Sequence, residues 1–97
     1  MGALTTHVLD TFRGKPAAGI RIQLWMAAER EPEQASVSGR RLLCETRTGP
    51  DGRAAIPLAA GEMLSAGVYE LLFDVGRYYQ GIAPTFWREV PVRFCIE

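Results

Sequence analysis

Short runs of alternating hydrophobic and polar residues make up most of this chain, and the runs stop at glycine- or proline-rich breaks. The clearest run, Ile20-Arg21-Ile22-Gln23-Leu24-Trp25, has period two. A strand there places Ile20, Ile22 and Leu24 on one face and Arg21, Gln23 and Trp25 on the other. Leu4 to Asp10 alternates in the same way and ends at Arg13-Gly14-Lys15-Pro16. Leu42 to Thr48 reads as a further strand, closed by the turn residues Gly49-Pro50-Asp51-Gly52. Ala54 to Leu58 is short and contains Pro57, which removes a backbone donor and suits a sheet edge. Val68 to Val75 is almost continuously apolar, as in a strand covered on both faces. Val90 to Ile96 alternates again, with Val90, Val92, Phe94 and Ile96 on one face and Arg93 and Cys95 opposite.

Two segments lack a strand period. Ala27 to Arg40 is polar and broken by Pro32 and Gly39, and reads as a long hairpin loop with room for a frayed helical turn. Gly76 to Gly81 reads as a helical turn carrying Tyr78 and Tyr79, both taken as packing residues. No internal repeat is visible. Strands at short intervals with one helical turn predict an all-β domain, a β-sandwich, over residues 1–97.

Composition narrows the function classes. At 47% apolar and 23% charged residues, the chain falls among ordinary globular domains rather than disordered segments. Its net charge of zero, with both signs mixed along the chain, offers no basic footprint for nucleic acid. No apolar run reaches the length of a membrane span, and the N-terminus lacks a signal-peptide layout. Met1-Gly2-Ala3-Leu4-Thr5-Thr6 fits a loose myristoylation pattern, but the segment reads better as the start of a strand. Cys44 and Cys95 show no metal spacing; one disulfide is geometrically possible, and two reduced thiols of a cytoplasmic protein is the plainer reading. Arg40 and Arg41 look like a solvated pair, and Trp25 and Trp87 suit either an interface or a core.

Two stretches carry a family resemblance. Thr5-Thr6-His7-Val8-Leu9-Asp10, followed by Gly14-Lys15-Pro16-Ala17-Ala18-Gly19, resembles the N-terminal signature of the 5-hydroxyisourate hydrolases. Thr48-Gly49-Pro50-Asp51-Gly52-Arg53 is similar to that family's Thr-Asn-x-Asp-Gly-Arg turn, with Gly49 in place of the polar residue. The later Phe86-Trp87-Arg88-Glu89-Val90-Pro91-Val92 stretch is also similar, so the resemblance covers essentially the whole chain. It implies a transthyretin-like sandwich and an enzyme of urate degradation that opens the cyclic amide of 5-hydroxyisourate on the way to allantoin. It also implies a homotetramer, a dimer of dimers with active sites between subunits, and no metal or organic cofactor. Transthyretin itself shares the fold as a hormone carrier.

At the matching positions the resemblance gives two catalytic and substrate-binding residues, His7 and Arg53. An imidazole at His7 can orient or deprotonate water near neutral pH. The guanidinium of Arg53 offers a planar fork of donors to substrate carbonyls and to charge building on oxygen. Asp51 reads as a turn former. Without the surrounding signature, His7 would be a packed or surface histidine and Arg53 a solvated turn arginine. The family pattern continues past Glu97 with His-Tyr-His-Val-Pro, a strand pair and a terminal Tyr-Arg-Gly-Ser. Against that pattern two C-terminal strands are missing here, with an expected loss of sheet cover and of activity. The alternative expectation is a catalytically degenerate transthyretin-like binding or assembly module.

Overall fold

The computed structural model describes residues 4–28, 41–55, 66–82 and 84–96. In chain order the elements are β1 (Thr5–His7), β2 (Leu9–Asp10), β3 (Lys15–Pro16), β4 (Arg21–Ala28), β5 (Arg41–Arg47), β6 (Arg53–Ala55), β7 (Gly67–Asp74), α1 (Val75–Tyr79) and β8 (Glu89–Ile96). Strands β5-β4-β7-β8 form an antiparallel sheet in that order, while β1 pairs with β6 and β2 with β3.

Period-two alternation builds the main sheet as expected. Ile20, Ile22 and Leu24 are all buried, whereas Arg21, Gln23 and Trp25 lie on the wetter face. There Arg21 pairs with Glu45 and Asp74, and Gln23 bridges the Trp25 indole and Glu45. Register puts Cys44 beside Leu24, Leu24 beside Leu71, and Leu71 beside Val92, giving one apolar row across the sheet. Leu24 is 0% exposed at the centre of that row and Val92 46% at its end. The second layer therefore covers β4 and β7 but not the outer edge. That layer contributes Leu4, Val8, Ala17 and Ala54 to the core, and Tyr69 stacks on Phe94 within the main sheet.

The structure departs from the sequence reading in three places. The run from Leu4 to Asp10 is two strands rather than one, divided at Val8, because its halves pair with different partners. β4 continues through Ala28 into the stretch expected to be loop; the rest of that loop, residues 29–40, lies outside the described residues, as do residues 56–58 of the short edge strand. The helical turn begins earlier, at Val75, with the Asp74 carboxylate accepting from the Arg77 N–H at its start. Among the described residues no helix is long and apolar enough to cross a membrane.

Two substitutions separate core from surface. Leu24→Ala should cost about 2–5 kcal/mol of stability by urea unfolding, and Phe86→Ala, at 87% exposed, within about 0.5 kcal/mol. Equal losses for both would contradict the placement of the core.

Candidate active site

Antiparallel pairing of β1 with β6 sets Thr5 opposite Ala55, Thr6 opposite Ala54 and His7 opposite Arg53. Opposed residues project from the same face. Ala54 turns inward and joins the core, so His7 and Arg53 turn outward side by side, and both are exposed.

The turn before β6 fixes this register. Asp51 Oδ1 accepts from the Arg53 N–H at 3.0 Å, so Asp51 serves as the turn former. The Gly52 N–H donates to the Gly49 carbonyl and the Gly49 N–H to the Arg53 carbonyl, each at 2.9 Å. Gly52 has φ +80°, a conformation that L side chains rarely adopt. A Cβ there would collide with the Val8 carbonyl and lie 3.1 Å from the Pro16 Cβ. Glycine at this position thus lets the turn approach the strand carrying His7. The Val8 N–H donates to the Gly52 carbonyl at 2.8 Å, and the Val8 carbonyl accepts from the Ala17 N–H at 3.0 Å.

His7 Nε2 lies 3.1 Å from the Asp51 carbonyl oxygen. A carbonyl can only accept, so a hydrogen bond here has Nε2 donating, which makes Nδ1 the nitrogen able to take a proton when the ring is neutral. Arg53 Nε stands 3.7 Å from Asp51 Oδ2, with both side chains about two-thirds exposed at 67% and 65%. Such an exposed pair holds its partners weakly, so the guanidinium keeps donors for a ligand. The pair can therefore accept a proton and offer hydrogen bonds at one exposed spot.

A buried cluster lies just beyond. The Asp10 carboxylate accepts from Tyr78 Oη at 2.7 Å, Tyr79 Oη at 2.8 Å, Arg13 Nε at 2.9 Å and the Arg13 backbone N–H at 3.1 Å. Arg13 Nη2 also donates to Tyr78 Oη at 2.8 Å. Burial alone would raise the Asp10 carboxyl; the donors from Arg13, Tyr78 and Tyr79 together outweigh it and hold the group well below the usual carboxylate range. The Tyr79 phenol is pushed up by its hydrogen bond to Asp10 and by burial. Tyr78 and Tyr79, expected to be packing residues, are thus hydrogen-bond donors to a buried charge. A signal for Asp10 was present: it shares the inward parity of Leu4, Thr6 and Val8, where a carboxylate requires partners.

Other chemistry lies apart from this pair. An open cleft of about 1240 Å³ between α1 and β8 is bordered by Arg21, Arg77, Trp87 and Arg88, among others, but not by His7 or Arg53. Among the described residues no three His, Cys, Asp or Glu side chains converge to hold a metal. Cys44 and Cys95 form no disulfide, and burial raises the Cys44 thiol, away from a reactive thiolate.

A family model described as HIUase/Transthyretin family matches residues 4–97. A 5-hydroxyisourate hydrolase of Halalkalibacterium halodurans is 42% identical over 99% of the chain and 79% of its own length. One of Mesorhizobium japonicum is 43% identical over 96% of the chain and 73% of its own length. The solved structure of Klebsiella pneumoniae 5-hydroxyisourate hydrolase superimposes with a TM-score of 0.75 at 28% identity, covering 99% of this chain and 79% of that one.

Two measurements test the geometry. Gly52→Ala should cost about 1–3 kcal/mol, from strain at positive φ compounded by the collision with Val8; a urea midpoint equal to that of the parent would contradict it. Unfolded aspartate takes up a proton near pH 3.9, whereas folded Asp10 resists protonation. Its stabilising contribution is therefore complete above about pH 4 and is lost as the pH falls further. Urea midpoints followed from about pH 7 to about pH 2.5 should fall less steeply in Asp10→Asn than in the parent. Parallel curves would contradict that.

Proposed function

We infer the function from one premise: the chain belongs to the HIUase/Transthyretin family. We propose that it is a hydrolase of urate degradation that opens the cyclic amide of 5-hydroxyisourate, with His7 and Arg53 as its catalytic and substrate-binding residues. The cross-strand placement of His7 against Arg53, on an outward face, is the observation that carries the site assignment. The relatives named above are called hydrolases of this substrate, and that supports the choice of reaction.

The chemistry follows from the two side chains. Water approaches the cyclic amide carbonyl and His7 Nδ1 takes its proton as the new C–O bond forms. Charge then builds on the carbonyl oxygen, where the fork of Arg53 donors lowers its energy. Collapse breaks the C–N bond, the ring nitrogen takes up the proton, and a carboxylate results. Arg53 suits the role because its planar donors match two acceptors at once, which a lysine cannot do. Neither residue demands a metal or organic cofactor for this route.

We also propose a cytoplasmic homo-oligomer, tetrameric as the resemblance implies. Support comes from the thiols without a disulfide and from apolar Leu9 and Val92 left exposed. Light scattering of the purified protein should give the mass of four chains; the mass of one would overturn this part.

The decisive assay follows the ultraviolet decay of freshly made 5-hydroxyisourate with protein expressed from its complete reading frame. Decay well above the uncatalysed rate is expected. His7→Asn should lower kcat by about 10²–10⁴-fold, and Arg53→Gln by about 10²–10³-fold. Decay at the uncatalysed rate would overturn the enzyme reading in favour of a binding module.

A further inference from the structure

We propose that Asp10, Tyr78 and Tyr79 form a clamp that positions His7, so that all three are positioning residues of the site; this rests on the catalytic role given to His7 above. The strand bearing His7 is held by a short ladder to β6 and by the two backbone bonds of Val8. β1 is three residues long, and among the described residues His7 at its end makes one exposed contact through its ring, to the Asp51 carbonyl. β2, which follows, is two residues paired with Lys15 and Pro16. Pro16 has no N–H to give to that ladder. Leu9, at 59% exposed, adds little apolar hold. To these backbone bonds the segment adds one buried side-chain anchor, Asp10, 1% exposed, with donors from two phenols and Arg13.

The far side of the clamp is tied to the four-stranded sheet. Tyr78 and Tyr79 meet edge to face, with ring centroids 4.9 Å apart, and the Arg13 guanidinium lies 5.7 Å from the Tyr78 ring centre. Their helix α1 follows β7 without a break and is seated on the residues before β8. The Gly76 N–H donates to the Arg88 carbonyl at 2.7 Å, and a Cβ on Gly76 would come within 3.1 Å of the Arg88 Cα. The phenols are thus fixed to the four-stranded sheet, and through Asp10 they fix the separate strand that carries His7. Strands rise about 3.3 Å per residue, so Asp10 stands roughly 10 Å along the chain from His7 and acts on its placement rather than on substrate. Between them only Val8 and Leu9 intervene, and Val8 is held on both sides by backbone bonds.

The test uses the protein from its complete reading frame and the variants Tyr78→Phe, Tyr79→Phe and the double change. The single changes keep Arg13 and one phenol on Asp10, so they serve if the double variant does not fold. Ile22→Val, a core change that removes none of the clamp's hydrogen bonds, controls for a general loss of stability. Imidazole NMR reads His7 directly, its ring signals being those that vanish in His7→Asn. Well below the melting temperature, the tyrosine variants should shift and broaden the His7 ring signals. In them kcat should fall by up to about 10²-fold, as small misplacements of a catalytic group do, with KM little changed. Ile22→Val should leave both readouts as in the parent. Unchanged His7 signals and kcat in folded tyrosine variants would overturn the clamp, and so would an equal effect of Ile22→Val. If the parent shows no hydrolysis, the reading of function fails while the ring signals still decide the clamp.

Discussion

A backbone group taken out of water has to find a partner, and at Val8 two such groups do so in the gap between two ladders. Its N–H reaches the Gly52 carbonyl and its carbonyl receives the Ala17 N–H. That arrangement holds only because Gly52 has no side chain to strike the Val8 carbonyl. On one side of the pivot His7 stays opposite Arg53; on the other Asp10 points inward to Tyr78 and Tyr79. A slip of one residue would reverse every side chain in the segment. His7 would enter the core and the Asp10 charge would lose its donors.

Much of this architecture was legible from residue order. Ile20, Ile22 and Leu24 define one dry face, and a strand with one dry face resists a slip of one residue. Gly49 to Gly52 announced its turn through residue types that tolerate special backbone angles. The division at Val8 was not legible, for a physical reason: inward parity runs unbroken through Leu4, Thr6, Val8 and Asp10, so one strand and two give the same pattern. The roles of Tyr78 and Tyr79 were hidden too, since a phenol packs or donates according to a partner far away in sequence. Nothing in periodicity singles out His7 or Arg53; the flanking motifs did so, and the register of β1 against β6 then brings them together.

The proposed chemistry fits the division of labour in this fold. The four-stranded sheet supplies bulk, with Leu24 and Ile22 fully buried, and carries neither candidate catalytic group. The candidate catalytic side chains sit on short elements at the margin, where a ligand can reach them, and their placement depends on a few polar contacts. Exposure leaves Arg53 only a loose pair with Asp51 and His7 only the Asp51 carbonyl among the described residues. Burial of Asp10 keeps the supporting strand from drifting. Stability and access are thus provided by different residues within a few positions of one another.

If His7 and Arg53 act on one transition state, their contributions cannot be independent. The most direct test is a double-mutant cycle on 5-hydroxyisourate hydrolysis with His7→Asn, Arg53→Gln and both together. The account predicts that the double variant loses little more activity than the worse single variant. Losses that multiply, or a double variant as active as the parent, would contradict it.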